Sequence, residues 1–224
     1  MICVAIPVKD ISHLNEKFKE LEYFEIDLVE LRLDYLKELD FEQLKNVVSS
    51  SKIPLILTLR KKSEGGFFER DENIRVEFLK ELITLKPEFI DLEYDSLNLD
   101  ELLQFAKIKE VKTIISRHDF QKTPPFEECK HILQTMAKRE ADVLKYITTA
   151  NDFQDNLIPI NLINLFKGRN VVSFCMGKDG IFSRIFSILF GGYFTFASLE
   201  EKTAPGQISL EEMQDILIRF QYGE

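Results

Sequence analysis

The chain reads as an α/β protein, a parallel (β/α)8 barrel of the TIM type, and three observations predict it. Apolar strand-like runs alternate with helix-period segments eight times. The spacing averages about 28 residues per unit, close to what such a barrel uses for a strand, a helix and two short loops. No linker, low-complexity tract or composition shift interrupts the series, so residues 1–224 are expected to form one barrel domain. A doubly wound open sheet is the alternative, but the first turn, "IPVKDIS", lacks the Gly-rich fingerprint that fold usually carries.

The strands are expected at 2–7, 26–36, 53–60, 88–94, 111–118, 142–148, 170–175 and 193–198. Between them, Ile74, Val76, Phe78, Leu79, Leu82 and Ile83 set a helical period over 72–85. The last helix, 209–220, repeats Leu210, Met213, Ile216, Leu217 and Phe220. Ser209 and Glu212 form a capping box in front of it.

Bulk properties exclude several classes. With 45% apolar and 30% charged residues and a net charge of −9, the chain resembles an ordinary globular protein with no polyanion-binding surface. No basic arm or zinc spacing suggests nucleic acid. No apolar run reaches the roughly 18–20 residues of a membrane span. The opening "MICVAIPVKD" lacks the regions of a signal peptide. Cys3, Cys129 and Cys175 are scattered, which fits buried hydrophobes in a reducing cytoplasm.

Alternation then sorts faces. A barrel's outward strand residues lie under helices and should be apolar. Val29, Leu31 and Leu33 therefore face out, and Glu30, Arg32 and Asp34 face in. By the same rule Thr58 and Arg60 on strand three, and Asp91 and Glu93 on strand four, point inward. A structural ion-pair network explains Asp91 adequately. Arg60 and His118 end their strands, and in this fold the strand C-termini form the functional mouth. Lys145 shares parity with Val143 and Ile147; because both faces of that strand are apolar, parity leaves its direction open. Pointing inward, it would lie beside the strand of His118, and an amine next to an imidazole base suits Schiff-base chemistry on a ketone. Arg184, in the apolar "GIFSRIFSILF", needs an anion from protein or ligand. Gly65 and Gly66 suggest a mobile lid. No Gly-rich phosphate nest follows strands seven or eight, which favours a carboxylate ligand.

These residues resemble the type I 3-dehydroquinate dehydratases, the Schiff-base lyases of the shikimate pathway leading to aromatic amino acids. The resemblance runs nearly end to end through "VELRLD", "TLRKKSEGG", "SRHDF", "ADVLKYITTA" and "MGKDGIFSRIFSILFGGYFTFAS" followed by "TAPGQ". It implies a hydro-lyase that converts 3-dehydroquinate to 3-dehydroshikimate without metal or cofactor. Lys145 would form the imine, His118 would be the general acid and base, and Glu64 would orient His118. Glu30, Arg32 and Arg60 would hold ring hydroxyls, and Arg184, helped by Thr203 and Gln207, the carboxylate. Many family members have serine where this chain has Thr203; the hydroxyl is retained. The resemblance also implies a cytoplasmic homodimer. Two rivals are a class I aldolase or transaldolase, which phosphorylated ketoses would reveal, and a non-catalytic hydroxy-acid-binding barrel, which would survive Lys145→Met.

Overall fold

A computed structural model describes residues 1–222. Eight strands form one parallel sheet: β1 (Ile2–Pro7), β2 (Leu28–Arg32), β3 (Leu55–Thr58), β4 (Phe89–Glu93), β5 (Lys112–His118), β6 (Val143–Thr149), β7 (Asn170–Met176) and β8 (Thr195–Ser198). From β1 to β7 each strand pairs with the next, and β8 pairs with β1. Between β7 and β8 the circle is drawn together by the Tyr193 N–H, which donates to the Val171 carbonyl at 2.8 Å. The predicted barrel is therefore present, with one seam.

Eight helices lie outside: α1 (Leu14–Leu21), α2 (Phe41–Ser50), α3 (Glu72–Thr84), α4 (Leu99–Lys109), α5 (Phe126–Met136), α6 (Leu157–Leu165), α7 (Ile181–Phe186) and α8 (Leu210–Tyr222). Local chemistry sets where several begin. Asp40 and Asp71 accept backbone N–H groups at the starts of α2 and α3. At α8, Ser209 Oγ accepts the Glu212 N–H while the Glu212 carboxylate accepts the Ser209 N–H, each at 3.2 Å.

Alternation decides the two cores. Val29, Leu31, Leu57, Ile90, Leu92, Leu144 and Tyr146 pack outward beneath the helices. Inside, Ile56, Phe89, Ile114, Val143, Val172 and Phe194 fill the lower barrel. Two positions further along β3 to β6 the inward residues turn polar: Thr58, Asp91, Ser116 and Lys145, all buried. Across from them β7 and β8 stay apolar, presenting Phe174, Met176 and Phe196. The mouth thus has a charged wall and an aromatic wall. Cys3, Cys129 and Cys175 are buried free thiols, as expected.

Candidate active site

Lys145 faces inward, which settles the direction that parity left open. It pairs with Ser116 in the β5–β6 register, two residues before His118. Its amine donates to Glu30 Oε1 at 3.2 Å and Asp91 Oδ2 at 3.0 Å, and lies 4.4 Å from the centre of the Phe196 ring. The groups bonded to this amine are carboxylates. Asp91, expected only in an interior ion-pair network, belongs to that network and also touches the amine. Burial alone would raise its carboxyl, but Arg60 and Lys145 outweigh burial and hold it well below the usual carboxylate range.

His118 closes β5. Its Nδ1 lies 2.9 Å from Glu64 Oε2, and the same oxygen accepts the His118 backbone N–H at 3.1 Å. Glu64 reaches this position on a tight turn whose next residue, Gly65, has φ +75°. A Cβ on Gly65 would overlap the Phe120 ring, and one on Gly66 would overlap the Arg60 carbonyl. The two glycines are close-approach points that seat Glu64. Burial pushes the His118 imidazole well below its ordinary value, and Arg60 and Lys145 push the same way. Burial also raises Glu64 to about 8, although Arg60 opposes the shift.

Arg60 is fully enclosed by acceptors. Nη2 meets Asp91 at 2.8 Å; Nη1 meets Ser116 Oγ at 2.8 Å, Glu93 at 3.1 Å and Glu64 at 3.7 Å. Arg32 is held bidentate by Asp34 at 2.8 and 2.7 Å. Asp34 also accepts the Phe67 N–H at 3.1 Å, which ties Arg32 to the Glu64 turn.

Arg184 differs from both. It is buried on α7 with its plane over Phe174, 4.4 Å from the ring centre. Nη2 donates to the Pro205 carbonyl at 3.0 Å, and Nε has no partner. Burial lowers its pKa to about 9. The anion that the sequence called for is not supplied by the side chains around it. Gln207 Oε1 accepts the Thr203 N–H at 2.7 Å, and Gln207 Nε2 donates to the Ala197 carbonyl at 3.0 Å. Much of that amide therefore shapes the loop instead of reaching into the cleft.

Glu30, Arg32, Arg60, Glu64, His118, Lys145, Arg184, Thr203 and Gln207 all line one cleft at the strand C-termini. Sequence reasoning missed Phe120, Ile147, Phe174, Met176, Phe196 and Ala204, which complete the lining. Inward parity had flagged Asp91. The rings on β7 and β8 gave no signal, because neither strand carries a charged residue to mark its inward face.

A (β/α)8 barrel with an amine, an imidazole–carboxylate pair and an uncompensated guanidinium at its mouth has the build of a barrel enzyme. Comparison with known proteins sharpens this. Residues 2–223 match the family model described as Type I 3-dehydroquinase. The 3-dehydroquinate dehydratase of Thermococcus gammatolerans is 41% identical over 86% of this chain and 87% of its own length. That of Pyrococcus abyssi is 37% identical over 97% of both chains. A solved structure of the type I 3-dehydroquinate dehydratase from Clostridium difficile has a TM-score of 0.88 and 32% identity, covering 100% of this chain and 92% of that one. The chain belongs to the type I 3-dehydroquinase family.

Proposed function

We infer that this cleft dehydrates 3-dehydroquinate to 3-dehydroshikimate through an imine on Lys145. The activity follows from family membership; the residue roles are those the geometry supports best. The observation that carries the reading is a buried amine on the cleft floor, with an imidazole–carboxylate pair in the same cleft and a guanidinium lacking an anion.

Lys145 attacks the ring ketone, and loss of water from the adduct leaves a protonated imine. That cation withdraws electrons and acidifies the neighbouring carbon. His118 takes the proton there, and the resulting enamine expels the hydroxyl one carbon further on, which leaves as water with the proton His118 returns. A second water hydrolyses the conjugated imine and frees Lys145. The ketone oxygen lost in forming the imine is thus restored, and the net change is the loss of one water. Glu64 fixes the His118 tautomer by accepting Nδ1–H. Arg184 binds the substrate carboxylate, with Thr203 and Gln207 shaping the loop over it. Glu30, Arg32 and Arg60 meet the ring hydroxyls.

Borohydride trapping tests this directly. The protein is incubated with 3-dehydroquinate, reduced, and its peptides mapped by mass spectrometry. A reduced adduct on Lys145 is expected; an active sample without one would overturn the imine.

A cytoplasmic homodimer belongs to the same reading. A second copy would cover the aromatic run of Phe153, Phe182, Phe186 and Phe220, whose successive ring centres lie 5.5, 4.8 and 4.7 Å apart. Phe153 and Phe220 are largely exposed in one chain. Light scattering should give twice the 26.2 kDa chain mass, and Phe153→Asp should return it to that of one chain.

A further inference from the structure

Arg75 is a buried cation that takes no part in the cleft. It projects from α3 and is wholly enclosed, yet all three guanidinium nitrogens have partners. Nε and Nη2 form a bidentate pair with Glu72 at 2.8 and 2.7 Å. Nη2 also donates to Ser96 Oγ at 2.8 Å. Nη1 donates to Glu93 Oε2 at 2.6 Å and to the Leu59 carbonyl at 3.1 Å. Glu93, itself buried at the end of β4, turns its other oxygen to the cleft side. There Oε1 lies 3.1 Å from Arg60 Nη1 and accepts the Lys61 N–H at 3.1 Å.

The result is a row of alternating charges that starts at Glu72 near the surface. It runs through Arg75, Glu93, Arg60 and Asp91 to Lys145. Arg60 is its branch point, since the Nη1 that meets Glu93 at 3.1 Å also stands 3.7 Å from Glu64. How far Arg60 leans toward Glu64 depends on how strongly Glu93 draws it the other way. Arg75 sets that pull by neutralising the far oxygen of Glu93.

We propose that Arg75 is a positioning residue for the dehydration. Through Glu93 it fixes Arg60 and the backbone leading to the Glu64 turn, and so the Glu64–His118 pair. The proposal rests on the assignment of Glu64 and His118 given above. Removing the Arg75 cation leaves Glu93 under-neutralised in a dry site. Glu93 then draws Arg60 away from Glu64, and Glu64 holds its proton to higher pH. The charged groups facing Glu64 are Arg60 and Lys61 from the end of β3, Glu93 and Asp95 from the end of β4, and His118 from β5.

The test compares wild type with Arg75→Met, Arg75→Lys and Arg75→Met/Glu93→Gln, reading kcat, KM, the pH profile of kcat/KM and borohydride trapping at Lys145. In Arg75→Met, kcat is expected to fall about tenfold as the Glu64–His118 pair is displaced, and KM to rise with the shift of Arg60 from the ring hydroxyls. The acid limb of its kcat/KM profile should move up by about one pH unit. Arg75→Lys retains the charge and should keep the limb near its wild-type position. The double variant removes the under-neutralised carboxylate and should move the limb back. If Arg75→Met does not fold, the lysine and double variants carry the comparison, and a limb displaced in either would overturn the proposal. An Arg75→Met protein that loses only thermal stability, with kcat and the limb unmoved, would overturn it as well. Absence of the Lys145 adduct in active wild type would instead refute the imine reading, whatever Arg75 does.

Discussion

A single oxygen of Glu64 serves His118 twice, lying 2.9 Å from its Nδ1 and accepting its backbone N–H at 3.1 Å. The ring and the chain that carries it are thereby fixed against one acceptor. Rotation about the His118 side chain cannot occur without losing a buried contact.

This pair gives stability an unusual pH dependence. The Glu64 carboxyl titrates near 4.5 when unfolded and near 8 when folded, so across that window the folded state binds an extra proton. Its contribution to stability is full below 4.5 and lost as pH rises through 8. His118 works the other way: its ring stays neutral in the fold below 6.5, and its contribution falls as pH drops through that region. The two oppose each other in acid, but between 6.5 and 8 Glu64 acts without that opposition. Urea unfolding should show stability declining there by up to about 1.4 kcal/mol per pH unit. Glu64→Gln should flatten that slope; an unchanged slope would place the titration elsewhere.

Catalysis should follow the same carboxyl. Ionised Glu64 accepts Nδ1–H and leaves Nε2 free as the base, so kcat/KM should rise with pH to a midpoint near 8. In Glu64→Gln that limb should disappear and kcat fall by about 10²-fold or more. Stopped-flow absorbance of the conjugated enone product would measure both.

Arg184 predicts a gain of stability coupled to a loss of function. Its buried charge meets one carbonyl and no carboxylate. Arg184→Met should make the unliganded protein more stable by roughly 1–3 kcal/mol, because a desolvated, poorly paired cation is replaced by an apolar chain. The same change should abolish the rise in Tm that a hydroxy-carboxylate ligand gives the wild type. Differential scanning calorimetry with and without such a ligand reads both effects, and a less stable Arg184→Met would show that the charge is better satisfied than its contacts indicate.

The Glu64 turn should tolerate no side chain. A Cβ at residue 66 meets the Arg60 carbonyl, so Gly66→Ala should cost about 1–3 kcal/mol through backbone displacement. It should also lower kcat, because Glu64 lies two residues away. Gly168, with nothing near its Cβ position, is the control; Gly168→Asn should leave kcat unchanged.

Much of this was legible in the sequence because charge and alternation coincide on three strands. Glu30 and Arg32 on β2, Arg60 just past β3, and Asp91 on β4 could face only inward once their apolar neighbours had been assigned to the helices. Lys145 was harder, since β6 is apolar on both faces and only the register with β5 places its amine against Asp91 and Glu30. Phe174 and Phe196 stood in strands that carry no charged residue on either face, where nothing marks one ring as lining a cleft. Arg75 was invisible for another reason. A charged residue in the middle of a helix reads as solvated, and only tertiary structure shows its partners to be Glu93, Ser96 and the Leu59 carbonyl.

The join between β7 and β8 has a consequence for how the barrel yields. Across it the Phe174 and Phe196 rings meet edge-on at 6.2 Å, with Arg184 over the first and Lys145 over the second. Everywhere else the cylinder is laced by ladders of backbone bonds, whereas here cohesion comes from stacked side chains and the Tyr193 tether. Side-chain contacts give way gradually, so the wall is compliant on the side where Arg184 lies over Phe174. The opposite wall, which carries Lys145, is locked by the ion pairs of Arg60, Asp91 and Glu30 and holds still while this side yields.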